Sequence, residues 1–313
     1  MKRPRLVAAA RWQSAPPGRR DIRTLSVTTQ ADALSGWICQ AMHWTAVERK
    51  VAKDPLLRMV CDGWIGTWIL GVIDAFADMP APALSEGEEA IASRFRFAKD
   101  RALYRSAHML KRSVHAAILG CRPGTLAYRY DDLGKPHLLG SGHLSFSLSH
   151  GGRFVAVAVS LSGSCGVDVE AQDAVASAQL PWPDLLHERE KQGIPCLREI
   201  PCEHALTLWT LKEAASKAIG LGLSLPPREI ETPSLASWSA VSQSAFSLTV
   251  HGRYRRSMPA SVLVLSDDKG AAHQVAAVSS AAVRGFAFRR FAAESMRQGQ
   301  EVCRFLALRQ PPD

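Results

Sequence analysis

Three consecutive strand patterns between residues 144 and 170 constrain the fold of this chain more than any other feature. From Leu144 to Ser149, apolar residues alternate with serines, which predicts a strand whose two faces differ in polarity. The stretch Phe154–Leu161 is dense in Val and Ala, as a buried strand is, and a third strand begins with Gly166–Glu170. Because the connections are short, the strands are predicted to form hairpins and the fold class to be α+β.

Two helices are predicted beside these strands. The first, or a helix pair, is expected from about 86 to 119, because Ser85 and Glu88 have the spacing of a capping box. The second is expected from about 203 to 219, where Gly220 follows as a stop signal. The first predicted helix carries seven basic residues, and most of them are interpreted as a solvated face. The seven are Arg94, Arg96, Lys99, Arg101, Arg105, Lys111 and Arg112. Further strands are predicted near 64–73, 245–251, 260–266 and 273–279.

The positive charge of the chain is unevenly distributed. The net charge is +9 over 313 residues, but residues 1–59 hold 11 Lys and Arg against 4 Asp and Glu, which gives +7. The other 254 residues hold 27 against 25, which gives +2. Residues 1–59 are therefore predicted to form a basic, poorly ordered arm. With 47% hydrophobic and 21% charged residues in the chain, there is enough apolar material for a sizeable core.

The apolar stretches and the cysteines of the chain indicate its cellular compartment. The longest apolar stretch, 64–77, is shorter than the ~20 residues that a membrane-spanning helix needs. The N-terminus lacks the apolar core of a secretory signal. The seven cysteines include no CxxC pair, which favours free thiols in a reducing compartment. The predicted localisation is cytoplasmic, without a membrane partner.

Asp168 and Glu170 are the first candidates for chemistry. They stand two apart on the predicted third strand, so both side chains lie on one face, with Cα atoms roughly 6.5–7 Å apart. Carboxylates this close repel each other unless a cation lies between them, and hard oxygen ligands suit Mg²⁺. The alternative is a pair of exposed acids at a strand end, because D-x-E is common.

Glu213 and Lys217 favour the functional interpretation of this acidic pair over the alternative of exposed acids. They are four apart on the second predicted helix and share one of its faces. One interpretation is an ordinary ion pair; the other is that Glu213 completes the acidic cluster or acts as a base while Lys217 holds a phosphate. Ser149 and His150 end the first strand at a Gly-Gly turn, where backbone N–H groups can bind an anion. The sequence has no GxSxG elbow, P-loop or dinucleotide fingerprint.

Together these elements resemble the surfactin-type branch of the 4'-phosphopantetheinyl transferase superfamily. The resemblance covers about residues 60–285, and the helix from Arg94 to Arg112 is similar to the basic helix of the family. Any one motif is weak, but the ordered set is highly specific. The four motifs are Gly134-Lys135-Pro136, Phe146 to His150 (FSLSH), Gly166 to Glu170 (GVDVE), and Trp209 to Lys217 (WTLKEAASK) followed by Gly220 to Pro226.

The resemblance implies a fold of two similar α+β halves related by a pseudo-two-fold axis, with the active site between them. The chain is accordingly divided into the basic arm 1–59, an N-terminal half 60–162, a C-terminal half 163–285 and a basic tail 286–313. A pseudo-dimeric chain of this kind is expected to be a monomer. The family usually has Asn where Ser147 stands and a hydroxyl residue where Gly151 stands.

The resemblance also implies a reaction: transfer of 4'-phosphopantetheine from coenzyme A to a serine of an apo acyl or peptidyl carrier protein, with release of adenosine 3',5'-bisphosphate. Asp168, Glu170 and Glu213 would bind Mg²⁺ or Mn²⁺. Glu213 would also be the base, so that Glu213, Lys217 and Asp168 are the catalytic residues. The residues expected at coenzyme A are Lys135, Ser149, His150, Lys217, Lys99 and Arg101, with Arg105 as an alternative on the basic helix.

Two other functions fit parts of the pattern. A metal-dependent phosphodiesterase or nuclease would also use acidic pairs and a lysine, but it predicts basic residues across the folded body, whose charge is +2. No nucleic-acid partner is therefore expected. A non-catalytic carrier-binding protein of the same fold predicts losses among Asp168, Glu170, Glu213 and Lys217, and all four are present.

Overall fold

The structure of the chain is a computed structural model with a mixed α+β fold, which confirms the predicted fold class. It describes residues 51–72, 84–173, 182–192, 200, 202–233, 245–267, 270–291 and 302–307. In that part of the chain no helix combines the length and the hydrophobicity needed to cross a membrane.

The first five-stranded sheet is formed by β1 (Ile65–Gly71), β4 (Ser145–Gly151), β5 (Phe154–Ser160), β11 (Gly285–Phe291) and β12 (Val302–Ala307). Its strand order is β12–β11–β1–β5–β4. β1 and β11 are parallel, and the other neighbouring strands of this sheet are antiparallel.

The second five-stranded sheet is formed by β6 (Cys165–Ala171), β7 (Ile230–Glu231), β8 (Phe246–Val250), β9 (Arg256–Ser266) and β10 (Ala272–Ser279). Its order is β6–β10–β9–β8–β7, and it is antiparallel throughout. The predicted hairpin between β4 and β5 forms, but the one between β5 and β6 is wrong, because β6 pairs with β10 in the other sheet. A separate hairpin of β2 (Tyr128–Tyr130) and β3 (Pro136–Leu138) precedes β4 in the chain.

Each large sheet is covered by one long helix. The described helices are α1 (Leu56–Cys61), α2 (Glu86–Ala92), α3 (Ala98–Leu119), α4 (Trp182–Leu185), α5 (Glu188–Gln192) and α6 (Cys202–Ile219). α3 packs on β5, β4 and β1, and α6 packs on β6 and β10. The other faces of the two sheets meet where β4 and β5 approach β6. β5 is consequently buried along its whole length, which explains its unbroken Val and Ala pattern.

The predicted capping box forms at the start of α2. The Glu88 backbone N–H donates to Ser85 Oγ at 3.3 Å, and the Ser85 backbone N–H donates to Glu88 Oε2 at 3.0 Å. The interpretation of the α3 charges as a solvated face is wrong for two residues, because Lys111 and Arg112 are only 1% and 3% exposed. Both donate to the Glu88 carboxylate, at 2.9 Å and 2.6 Å. The helix cap therefore also neutralises buried charge on the neighbouring helix.

The pseudo-two-fold arrangement and the boundaries at 60, 163 and 285 stay predictions. Two observations bear on the ends of the predicted halves. Within the predicted arm, Val51 and Leu56 are buried in the core, whereas residues 1–50 lie outside the described residues. At the other end, β11 begins at the predicted boundary and pairs with β1, so this part of the basic tail completes the first sheet.

Candidate functional site

The candidate site forms where α6 lies directly on β6. Gly166 of β6 has no side chain, and a Cβ atom there would clash with the carbonyl oxygen of Ala214 in α6. The two backbones can therefore approach much more closely than side chains would otherwise permit. This approach brings the polar face of α6 over the carboxylates of β6.

α6 and β6 meet there in a row of polar contacts, called the ladder below, between Trp209 and Lys217 of the helix and Glu170 and Asp168 of the strand. Trp209, Glu213 and Lys217 are each four residues apart and so share one face of α6. At one end of the ladder the Trp209 indole N–H donates to Glu170 Oε1 at 3.1 Å. At the other end Lys217 Nζ donates to Asp168 Oδ1 at 2.6 Å. On this face Glu213 lies between Trp209 and Lys217, and the predicted metal site of the three acids stays a prediction.

Ser149 of β4 joins the same cluster. Its hydroxyl donates to Asp168 Oδ1 at 2.8 Å and accepts from Lys217 Nζ at 3.0 Å and from the Val169 N–H at 3.3 Å. The predicted serine face of β4 is thus buried against β6, as Ser147 and Ser149 are 6% and 7% exposed. Ser149 fixes Asp168 in position, and its predicted contact with coenzyme A stays a prediction.

The three carboxylates line a cavity of about 490 Å³. Burial, and secondly the charge of Asp168, raises the pKa of Glu170 to about 7. The same two causes raise the pKa of Glu213. Acids whose pKa values are raised by one another gain from a nearby cation. The cavity is lined by Tyr104, Ala107, His108, Leu148, Ser149, His150, Asp168, Glu170, Trp209, Glu213 and Lys217.

The donor set fits a divalent cation. Asp168 Oδ2 is buried and has no hydrogen-bond partner among the described residues, although Oδ1 of the same carboxylate has two. A buried carboxylate oxygen without a donor is costly, and a hard cation satisfies it. The oxygens of Asp168, Glu170 and Glu213 do not all lie within 4.8 Å of one another, so joint binding of one ion requires side-chain movement.

A second cavity, of about 330 Å³, adjoins the first, and His108, Leu148 and Lys217 line both. Lys135 lines the second cavity, but its ammonium donates to the backbone oxygen of Lys217 at 2.8 Å and to Ser164 Oγ at 3.1 Å. These bonds hold the β2–β3 hairpin against the C-terminal end of α6. Burial lowers the pKa of Lys135. Its predicted role at coenzyme A stays a prediction.

His150 and Gly151 form the end of β4. The exposed His150 side chain lines the first cavity, where it was predicted to meet coenzyme A. A Cβ atom on Gly151 would clash with the backbone oxygen of Val169. The hydroxyl residue usual in the family therefore has no room at this backbone position, which accounts for the glycine.

Lys99 and Arg101, the predicted basic-helix ligands, contribute to neither of the two cavities. Lys99 is exposed near the start of α3, and Arg101 Nη1 donates to the backbone oxygen of Phe95 at 3.3 Å. The alternative, Arg105, donates to Glu89 Oε2 at 2.6 Å. Contacts of these residues with coenzyme A stay predictions.

Sequence reasoning missed two aromatic residues of the site on α3. The rings of Tyr104 and His108 stack at 4.1 Å, and both residues line the first cavity. His108 Nδ1 lies 2.8 Å from Glu88 Oε1. The available signal was their spacing of four on one helix face. This spacing could not place the two residues at the site, because it does not tell which strands α3 packs against.

The two lysines of the WTLKEAASK motif point in different directions. Lys217 enters the site, but Lys212 is buried on the other side of α6 and donates to Glu190 Oε2 at 2.8 Å. Lys212 also donates to the backbone oxygens of Pro227 and Ile230. Lys212 is thus an internal ion-pair partner and takes no part in the cavity.

A second group of ligand-type atoms lies away from the cavity. Among the described residues, the ligand atoms of His187, Glu231 and His251 lie within 4.8 Å of one another. Arg189 occupies this cluster: its guanidinium is 3.3 Å from Glu231, and its backbone N–H donates to His187 Nδ1 at 3.3 Å. The two imidazole rings also stack with 13° between their planes, so one metal ion cannot lie in both planes. We interpret the group as a hydrogen-bonded cluster.

Residues 164–276 match the family model of the 4'-phosphopantetheinyl transferase superfamily. That stretch runs from just before β6 into β10 and contains Asp168, Glu170, Glu213 and Lys217. The superfamily resemblance predicted from the motifs is thereby confirmed, and residues 164–276 carry a domain of this superfamily.

Three curated relatives carry names from the same superfamily. The 4'-phosphopantetheinyl transferase HetI of Nostoc is 30% identical over 151 residues, which are 46% of this chain and 62% of the relative. A putative 4'-phosphopantetheinyl transferase of Synechocystis is 29% identical over 151 residues, 45% of this chain and 58% of the relative. The 4'-phosphopantetheinyl transferase of Bacillus subtilis is 29% identical over 125 residues, which are 38% of this chain and 52% of the relative. The chain thus spans between half and two thirds of the length of these relatives.

Proposed function

We propose that this chain is a surfactin-type 4'-phosphopantetheinyl transferase. It transfers the phosphopantetheine arm of coenzyme A to a serine of an acyl or peptidyl carrier protein. One observation carries the proposal: Asp168, Glu170, Glu213 and Lys217 converge on one cavity, inside the region that matches the superfamily. The names of the three relatives support the same reaction.

In the proposed reaction the serine oxygen attacks the phosphorus that carries the pantetheine arm. The bond from this phosphorus to the bridging pyrophosphate oxygen breaks, and adenosine 3',5'-bisphosphate leaves. Glu213 takes the serine proton, directly or through water; its raised pKa brings it closer to neutral pH, where a general base is most effective.

Asp168, Glu170 and Glu213 would hold the divalent cation, Mg²⁺ or Mn²⁺. When bound, such a cation neutralises pyrophosphate oxygens and so favours the departure of the leaving group. Among the described residues that line the cavity, Lys217 is the one lysine or arginine, and its side chain is 30% exposed. It can therefore exchange its contact with Asp168 for an oxygen of the pyrophosphate, where developing negative charge attracts it.

The two adjoining cavities would accommodate coenzyme A. Lys217 and His108 line both of them, so one extended ligand can pass from one to the other. Ser149 and His150 lie at the first cavity and Lys135 at the second, which agrees with their proposed place near the nucleotide phosphates. We further propose a monomer that acts in the cytoplasm without nucleic acid or membrane.

The test is incubation of the full chain with Mg²⁺, coenzyme A and a panel of apo acyl and peptidyl carrier proteins, followed by intact-mass measurement. A carrier heavier by one phosphopantetheine, with adenosine 3',5'-bisphosphate released in equal amount, is the expected result. No added mass on any carrier would overturn the proposal. Cleavage of a nucleic acid in place of transfer would favour the phosphodiesterase alternative.

A matched pair of variants links this activity to the site. Glu213→Gln keeps the side-chain shape but removes the charge and the base. Glu203→Gln makes the same change at an exposed position of the same helix. Glu213→Gln is expected to lose about 100-fold or more in turnover, in line with the loss of a general base, while Glu203→Gln stays active. Equal activity of the two variants would remove the role of Glu213.

A further inference from the structure

We infer that Trp209 is a positioning residue for the metal ligand Glu170, an inference that rests on the proposed function. Its indole N–H holds one carboxylate oxygen of Glu170 and leaves the other available to the cation. Sequence reasoning placed Trp209 in a motif but assigned it no chemical role.

The contact between the two side chains is specific. The Trp209 Nε1–H donates to Glu170 Oε1 at 3.1 Å, and both residues line the 490 Å³ cavity. Among the residues that the structure describes, Trp209 is the hydrogen-bond donor to the Glu170 side chain. A glutamate side chain has several rotatable bonds, so without this donor it must be ordered by the cation itself, at an entropic cost.

The chemical type of the donor matters as much as its position. At the other end of the ladder Asp168 is held by Lys217, whose positive charge cancels that of the carboxylate. The indole is a neutral donor that cannot act as an acceptor. It orients Glu170 without neutralising it, so the negative charge that attracts the cation is kept.

The position on α6 explains why a large side chain is needed. Trp209 lies one turn before Glu213, so it stands over Glu170 at the far end of the ladder from Lys217. Its ring also forms part of the cavity wall. A phenylalanine fills much of the same space but offers no donor, so Trp209→Phe separates the hydrogen bond from the packing.

The experiment is a double-mutant cycle on the full chain, with Mn²⁺ alone as the probe. Electron paramagnetic resonance measures free Mn²⁺ and hence its dissociation constant for wild type, Trp209→Phe, Glu170→Gln and the double variant. Loss of a group that orients a metal ligand typically costs 10–100-fold in affinity, so Trp209→Phe is expected to weaken Mn²⁺ binding by about 10-fold. In the Glu170→Gln background the same change is expected to have almost no further effect, because the two residues act together.

Kinetics and a remote control separate positioning from general destabilisation. For Trp209→Phe the half-saturating Mg²⁺ concentration is expected to rise about 10-fold, while kcat at saturating Mg²⁺ stays within about 2-fold. Trp64→Phe changes the same residue type just before β1, where Trp64 packs against the core, and is expected to leave Mn²⁺ binding unaltered. If Trp209→Phe does not fold, Trp209→Leu serves in its place, since it also lacks the donor.

The outcomes distinguish this inference from the proposed function. Wild-type transfer with unchanged Mn²⁺ binding in Trp209→Phe overturns the role of Trp209 and leaves the transferase intact. A full effect of Trp209→Phe in the Glu170→Gln background also overturns it, because Trp209 would then act without Glu170. A wild-type chain that neither binds Mn²⁺ nor modifies a carrier defeats the proposed function, and the inference with it.

Discussion

Two of the buried charge clusters in the described part of the chain have opposite composition. Beneath α2, one carboxylate, Glu88, has three basic partners, His108, Lys111 and Arg112, at 2.6–2.9 Å. In the cavity, three carboxylates share the single ammonium of Lys217. In the first cluster, called the balanced cluster below, the carboxylate is neutralised by its own basic partners. The second, the unbalanced cluster, has more negative charge than its own residues can neutralise.

The pKa values of the acids follow this difference. Burial alone would raise the pKa of Glu88, but the hydrogen bond from His108 and the charge of Lys111 outweigh burial and hold this pKa well below its usual range. In the cavity, burial and the charge of Asp168 act in the same direction, and the pKa of Glu170 rises to about 7. A balanced cluster stabilises the fold, and an unbalanced one is suited to binding a charged ligand.

The largest expected effect is on activity, in the unbalanced cluster. Asp168→Asn keeps the size of the side chain but removes its charge, so the transfer rate is expected to fall about 1000-fold. The free energy of unfolding should change little, because repulsion with Glu170 and Glu213 is relieved. Carrier modification and urea unfolding measure the two quantities; a stable variant with full activity would contradict the metal assignment.

The corresponding change in the balanced cluster is expected to act on stability. Glu88→Gln leaves the charges of Lys111 and Arg112 buried without a counter-ion, at a cost of about 3–5 kcal/mol of unfolding free energy. Turnover per folded molecule should change much less than in Asp168→Asn. Chemical denaturation gives the first quantity, and activity normalised to folded protein gives the second. A Glu88→Gln chain as stable as wild type would show that the cluster is not needed for folding.

Addition of Mg²⁺ is expected to stabilise the folded chain through the unbalanced cluster. At a concentration of 100 times its dissociation constant, a ligand that binds the folded state alone adds about 2.7 kcal/mol. Thermal unfolding with and without Mg²⁺ measures this shift. Asp168→Asn should lose most of it, whereas Glu203→Gln should keep it. A shift of equal size in all three proteins would mean that the ion binds elsewhere.

The balanced cluster should make the chain sensitive to acid. Because the pKa of Glu88 is lower in the folded state, its stabilising contribution is present above its unfolded pKa of about 4.3 and is lost as the pH falls towards the folded value. One such group gives a slope of up to about 1.4 kcal/mol per pH unit. Urea unfolding between pH 6 and about 3 should show a shallower slope for Glu88→Gln than for wild type.

The smallest effect is expected for a charge pair at the surface. Arg105 donates to Glu89 at 2.6 Å, but the two side chains are 19% and 34% exposed. Arg105→Met should therefore lower the unfolding free energy by only a few tenths of a kcal/mol, as is usual for such pairs. If this variant loses as much stability as Glu88→Gln, burial does not distinguish the two kinds of charge.

The local patterns of the sequence predicted the elements that carry the site, but not all partners of the charged residues. The alternation in β4, the D-x-E pair on β6 and the spacing of α6 each follow from a period of two or four residues. The burial of Lys111 could not be read in this way, because Glu88 lies 23 residues earlier on another helix. Likewise, the position of β11 beside β1 depends on pairing across more than two hundred residues, which no local pattern encodes.

The parallel pairing of β1 with β11 has a consequence for the synthesis of the chain. Residues 65–71 leave the ribosome long before residues 285–291, yet β1 lies between β11 and β5 in the finished sheet. Until residues 285–291 emerge, β1 lacks its neighbour β11, and Ile65 and Ile69 lack the cover of Phe286 and Phe288. A nascent chain of this protein therefore carries an incomplete sheet with one unpaired strand edge until residues 285–291 have been made, and such an edge favours aggregation.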